Sequence, residues 1–83
     1  MVTGDDLEVL GTAQVGYSPS CPRPGWAEQD PALWEGALAP AIAGALAAAG
    51  CDPAAVVALA IAGQLDGCVA VGRDRRPRGP CLI

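Results

Sequence analysis

The sequence predicts a small α/β unit in the order strand, helix, strand, hairpin, and three stretches carry that prediction. Val56-Val57-Ala58-Leu59-Ala60-Ile61-Ala62 is uncharged, apolar and closed by Gly63, which reads as a strand buried on both faces. Trp34, Leu38, Ala41, Ile42, Ala45, Leu46 and Ala49 recur at helical spacing and form one apolar stripe. Leu7 to Tyr17 alternates imperfectly, with Val9, Ala13, Val15 and Tyr17 on one parity, as in a strand with one buried face.

In chain order, Met1 and Val2 form the tail of a strand, and Gly4-Asp5-Asp6 turns the chain into the Leu7–Tyr17 strand as a hairpin. Ser18 to Gly25 holds three prolines and is a loop, since proline breaks a ladder. Asp30-Pro31 is a helix start: the carboxylate accepts from an orphan N–H of the first turn, and proline fits the first helical position. Gly50 is the stop. Pro40 lies inside, deletes the bond to the Gly36 carbonyl and predicts a kink or local irregularity.

Cys51 to Ala55 is a connecting turn, with Asp52-Pro53 opening one helical turn. After the Val56–Ala62 strand comes Gln64-Leu65-Asp66, then a second apolar run, Cys68-Val69-Ala70-Val71. Gly72 to Arg76 is a charged turn, and Cys81-Leu82-Ile83 begins a last strand.

Composition bounds the function. The 83 residues are 52% hydrophobic and 17% charged, too apolar for a disordered chain. Alanine supplies much of the apolar content and phenylalanine is absent. A domain this small buries only roughly 60% of its unfolded surface, so its stability alone is marginal.

The net charge of −4, with nine acids against five basic residues and no histidine, excludes a broad basic face for nucleic acid. It also removes the usual general base and commonest metal ligand. Arg73, Arg75, Arg76 and Arg78 form the one basic cluster, read as a solvated turn.

The four cysteines, Cys21, Cys51, Cys68 and Cys81, contain no C-x-x-C pair for zinc or redox work. The acidic N-terminus lacks the basic and apolar regions of a secretory signal, so a reduced, cytoplasmic protein is expected rather than a disulfide-stapled one. Gly36 to Cys51 reads as too short and too interrupted to span a bilayer, so no membrane partner is expected.

Position alone draws attention to Gln64, Leu65 and Asp66, because open α/β sheets bind ligands beyond the carboxyl ends of their strands. Asp66-Gly67 is also a turn dipeptide on residue chemistry alone.

Several motifs in register resemble one family. Arg23-Pro24-Gly25-Trp26-Ala27-Glu28-Gln29-Asp30-Pro31 followed by Leu33-Trp34 resembles the segment leading into the first helix of FGGY-family carbohydrate kinases. Ala60-Ile61-Ala62-Gly63-Gln64-Leu65-Asp66-Gly67 resembles that family's next strand and sugar-contacting loop, closest to the xylulokinase-like branch. Pro80-Cys81-Leu82-Ile83 resembles the strand that follows. The order and spacing match from about Leu7 to the end of the chain.

The resemblance implies a partial actin-like ATPase, ribonuclease-H-like domain, incomplete at both ends, with residues 1–83 a fragment of the N-terminal, sugar-binding domain. It implies an ATP- and magnesium-dependent phosphotransferase acting on a sugar or polyol hydroxyl. The phosphate loop and catalytic aspartate would lie outside this chain, so no catalytic, ATP-binding or metal residue is assigned within it, and the chain alone is expected to be inactive. The implied partners are a pentulose or related polyol and the remainder of the kinase chain, with self-association through exposed sheet edges.

Family members of the xylulokinase-like branch usually carry Met-His where this chain has Leu65-Asp66. Leucine keeps an apolar wall of similar volume. Aspartate only accepts hydrogen bonds, whereas imidazole both donates and accepts. Gln64 either orients the loop or touches substrate.

Trp26 and Trp34 read as packing anchors beside the helix start, and Glu28 as support for the helix entry. Glu35 stands where the family often has a second tryptophan, and Gly72 to Arg76 lacks the usual Asp-Gly turn. The rival reading is a small non-enzymatic interaction module that reuses the strand-helix-strand unit and pairs through its sheet edges.

Overall fold

The computed structural model describes residues 1–83. It contains four short strands, β1 (Val2–Thr3), β2 (Val9–Gly11), β3 (Glu28–Gln29) and β4 (Cys81–Leu82). One helix, α1 (Pro31–Ala49), and a 3-10 turn at Pro53–Ala55 complete the set. The strands form two separate antiparallel pairs, β1–β2 and β3–β4. This is a small α/β arrangement with two small sheets and one helix.

The chain divides into two compact units. The first comprises Met1–Gly16 and Gly36–Ile61, the second Tyr17–Glu35 and Ala62–Ile83.

In the first unit, β1 and β2 pair with Val2 opposite Gly11 and Thr3 opposite Val9, offset by a bulge. The turn is closed by the Gly4 amide donating to the Glu8 carbonyl at 2.9 Å and the Leu7 amide to the Gly4 carbonyl at 3.1 Å. The Asp6 carboxylate accepts from the Glu8 amide at 3.0 Å. The predicted hairpin is therefore present, but its second arm is three residues long. The ladder stops because β1 has only two residues to offer. Of the expected buried face, Ala13 is partly covered and lies against Gly44, whereas Val9, Val15 and Tyr17 are exposed.

Helix α1 starts and stops where its end signals place it. The Asp30 carboxylate accepts from the Ala32 amide at 2.9 Å, capping the N-terminus, and Pro31 occupies the first helical position. At the other end the Gly50 amide donates to the Ala47 carbonyl at 3.1 Å and the Cys51 amide to the Leu46 carbonyl at 3.0 Å. With Gly50 at φ 60, this is the paired-bond terminus that favours glycine. The helix runs unbroken through Pro40, and no interruption appears at the predicted position. Gly36, one turn earlier, has no side chain to crowd the proline ring and open space around its Cα.

The packing face of α1 holds five of the seven predicted stripe residues, Trp34, Ala41, Ala45, Leu46 and Ala49. Its protected residues are Pro31, Trp34, Ala37, Ala41, Gly44, Ala45, Leu46 and Ala49. Leu38 and Ile42 are exposed. Strand β2 approaches the helix closely. A Cβ added at Gly11 would overlap the Ala49 backbone nitrogen and stand 2.8 Å from the Ala45 carbonyl oxygen. A Cβ at Gly44 would stand 2.9 Å from that of Ala13. Only small side chains fit where the surfaces are this near, at Gly11 and Gly44, and Leu38 and Ile42 lie outside that contact.

By length and composition alone, the 19-residue α1 could cross a membrane, which corrects the expectation that this region is too short. One such helix is weak evidence for a membrane span, and only 6% of its apolar window is buried.

The largest departure is Val56–Ala62. It is neither strand nor helix, and Val57, Leu59 and Ile61 are 98%, 67% and 80% exposed. No backbone group from Val57 to Gly67 bonds another protein group. A strand exists only through a neighbour's donors and acceptors, and no segment of this chain bonds to it from Val57 onward.

In the second unit, β3 is the centre of a narrow ladder. Ser20 and Glu28 exchange amide–carbonyl bonds at 2.7 and 2.8 Å. On the other side Glu28 faces Leu82 and Gln29 faces Cys81. Cys68 then bridges Leu82, with bonds of 3.0 and 2.9 Å. The lateral order is Ser20, β3, β4, Cys68. The apolar run Cys68–Val71 thus contributes isolated bridges rather than a strand, its other one joining Val71 to Pro77. Cys81 is 4% exposed and Ala45 of the first unit 2%; these are the buried apolar side chains, with Pro31 also buried.

Trp34 is partly buried, and its indole N–H donates to the Gln29 side-chain oxygen at 3.3 Å. Trp26 is half exposed rather than a packing anchor, with the Arg23 guanidinium 5.1 Å from its ring centre.

Candidate functional site

The three candidate residues lie on one turn. Leu65 and Asp66 form its corner, and Asp66 adopts φ 65, the left-handed region that Asp tolerates better than most residues. The turn has one fixed end. Immediately after it, Cys68 is held to Leu82 by two backbone bonds. A Cβ on Gly67 would meet the Cys81 sulfur at 3.2 Å, so glycine lets the turn sit close on β4. The other end, from Val57 onward, makes no backbone bond.

Gln64, Leu65 and Asp66 are all exposed, Leu65 at 83%. The Asp66 carboxylate and the Gln64 amide are engaged by no other residue. The turn therefore presents an acceptor carboxylate, an amide that both donates and accepts, and an apolar side chain. That is a fitting set for a polyhydroxylated ligand.

The concave surfaces lie elsewhere in this unit. A cleft of about 560 Å³ is lined by Ser20, Glu28, Asp30 and Pro31 at the helix start, with Pro77 and Pro80 opposite. A second, of about 580 Å³, is lined by Asp30, Glu35, Asp74, Arg75 and Arg76. Neither includes Gln64, Leu65 or Asp66. Both clefts are open; the first mixes prolines with polar groups and the second is mainly polar, and neither has the enclosing apolar walls that usually mark a ligand pocket.

Glu28 belongs to β3 and lines the first cleft, a position that its composition did not reveal. The arginine turn is the solvated loop read from the sequence. The Arg75 amide donates to the Gly72 carbonyl at 2.9 Å, and Arg78 pairs with Asp74 at 2.9 Å on an exposed surface.

The family comparison decides what kind of domain this is. The model of the FGGY family of carbohydrate kinases, N-terminal domain, matches residues 1–83. The chain belongs to the FGGY carbohydrate kinase family. No curated protein and no solved structure matches it.

Within an FGGY domain the paired motifs acquire a setting: Trp26 to Trp34 leads into α1, and Gln64 to Gly67 precedes the bridge to β4. FGGY kinases imply magnesium, and the residues present do not build its site. No three acidic, cysteine or histidine side chains converge to hold a metal. The four cysteines are free thiols.

Proposed function

We propose that residues 1–83 supply the sugar-contacting part of an FGGY-type kinase of xylulokinase-like specificity, within the N-terminal domain of an actin-like, ribonuclease-H-like fold. The family match supports the class of reaction, phosphoryl transfer to a carbohydrate hydroxyl. The observation that carries the assignment of residues is the Leu65–Asp66 turn. It is exposed, carries an unengaged carboxylate, and is fixed at one end to β4.

Phosphoryl transfer depends mainly on positioning and charge stabilisation. In this reading Asp66 accepts from one sugar hydroxyl, Leu65 forms an apolar wall against the carbon skeleton, and Gln64 bonds a second hydroxyl or orients the turn. ATP, magnesium and the catalytic base belong to the complete kinase, and no chemical step is assigned to this chain alone. A cytoplasmic setting is in keeping with four unpaired thiols. A pentulose is the substrate class favoured by the branch resemblance, and aspartate in place of histidine selects for a ligand that donates at that point.

The test is sugar affinity measured on the chain and two variants. Asp66→Asn keeps the shape and removes the charge, so a charge-assisted bond of about 1.5–3 kcal/mol predicts roughly 10- to 100-fold weaker pentulose binding. Asp74→Asn, on the arginine turn, leaves affinity unchanged. Equal affinity for the parent chain and Asp66→Asn would remove Asp66 from the site. Phosphorylation of a pentulose by the isolated chain would contradict the placement of the catalytic groups.

A further inference from the structure

We propose that Cys81 is a positioning residue for the Gln64–Asp66 turn: the volume of its buried side chain sets how closely that turn stands on β4. For ligand binding, the inference rests on the sugar-contacting role of the turn.

The turn needs support from outside itself. Asp66 holds φ 65, a backbone conformation that costs an L-residue free energy and persists where the surroundings impose it. From Val57 to Gly67 no backbone group bonds another protein group, so no ladder imposes it from that side. The support comes at Gly67. Its φ is not positive, so alanine can adopt the same backbone, and what keeps a side chain out is space. An added Cβ would stand 3.2 Å from the Cys81 sulfur, inside the about 3.5–4.0 Å of an ordinary carbon contact. The next atom, the Leu82 carbonyl oxygen, is 4.0 Å away. One sulfur atom sets the gap.

That sulfur has little room to give. Cys81 is 4% exposed and lies in β4 opposite Gln29. The Gln29 side-chain oxygen accepts from the Trp34 indole N–H at 3.3 Å, which ties the strand beside β4 to the start of α1. Immediately after Gly67, the two backbone bonds between Cys68 and Leu82, at 3.0 and 2.9 Å, clamp the chain to β4. Sulfur and clamp together leave the turn one height above the strand. A methyl group on residue 67 lifts the turn and moves the Asp66 carboxylate and the Gln64 amide with it. Removing the sulfur makes room for that methyl group.

Four chains test this: the parent, Gly67→Ala, Cys81→Ala and the double variant. Hydrogen exchange at the Cys68 and Leu82 amides reads the seating without any sugar, pentulose affinity reads the site, and circular dichroism checks that α1 is intact. Gly67→Ala is expected to exchange faster at both amides and to bind pentulose roughly 3- to 10-fold more weakly, the worth of one displaced hydrogen bond. Adding Cys81→Ala is expected to bring both readings back toward the parent, the non-additivity that a direct contact produces. Gly63→Ala, at the unbonded end of the turn with nothing within 4 Å of its added Cβ, leaves both readings unchanged.

A Gly67→Ala chain that exchanges like the parent would overturn the proposal, as would a double variant no better than Gly67→Ala. Restored exchange with affinity still lost would show that Cys81 seats the bridge without positioning the site, and would overturn it too. Restored exchange in chains of which none, the parent included, binds pentulose would uphold the seat and remove the sugar-contacting role instead.

Discussion

The packing of β2 on α1 makes Gly11 the position most sensitive to one added methyl group. A Cβ there would overlap the Ala49 amide nitrogen and stand 2.8 Å from both the Ala45 carbonyl oxygen and the Ala49 Cα. All three are backbone atoms of a helix and cannot swing aside as a side chain would. Overpacking a filled site costs about 1–3 kcal/mol, and immovable neighbours place Gly11→Ala at the upper end, about 3 kcal/mol. For a domain of this length that corresponds to a melting point lower by about 12–24 °C. Circular dichroism at 222 nm through a thermal scan reads it. Gly16→Ala is the matched control, since nothing stands within 4 Å of its added Cβ, and its stability should stay within about 0.5 kcal/mol of the parent. Equal melting points for the two variants would refute the close-approach argument and with it the reason given for the small-residue face of α1.

Two further substitutions test the helix. Pro40→Ala restores an amide donor to the Gly36 carbonyl in an exposed part of α1. It should stabilise the chain by about 1–3 kcal/mol and raise helicity; no gain in either would mean that the helix accommodates Pro40 without cost. Asp30→Ala removes the acceptor of the 2.9 Å bond from the Ala32 amide, with an expected loss of about 1 kcal/mol in chemical denaturation. An unchanged midpoint would show that the cap contributes nothing.

The parts of this fold that the sequence made legible are those decided locally. Asp30-Pro31 and Gly50 set the ends of α1 through bonds within a few residues, and Gly4-Asp5-Asp6 closes its hairpin the same way. The parts that were not legible depend on partners. Val56–Ala62 has strand composition, but composition supplies no neighbour, and the segment stands unpaired. Glu28-Gln29 has no strand composition, yet it becomes β3 because Ser20 and Leu82 flank it. The stripe on α1 was legible at Trp34, Ala41, Ala45, Leu46 and Ala49, whereas the close approach of Gly11 and Ala13, and the exposure of Leu38 and Ile42, were not.

The candidate site divides in the same manner. Its turn geometry was readable from Asp66-Gly67, and its anchoring to β4 was not, since the Cys68–Leu82 bridge joins residues far apart in the chain. The clefts beside Glu28 and Asp30 were also unread, because they arise from the approach of the Pro77–Pro80 segment to the helix start.

The measurement that bears most directly on the sugar-contacting role is an amide chemical-shift map of the chain titrated with a pentulose. The account predicts saturable shifts concentrated at Gln64, Leu65, Asp66 and Gly67, with Cys68 and Leu82 moving less through their shared bridge. Shifts confined to the clefts lined by Glu28, Asp30 and Glu35, or none at saturating sugar, would contradict it.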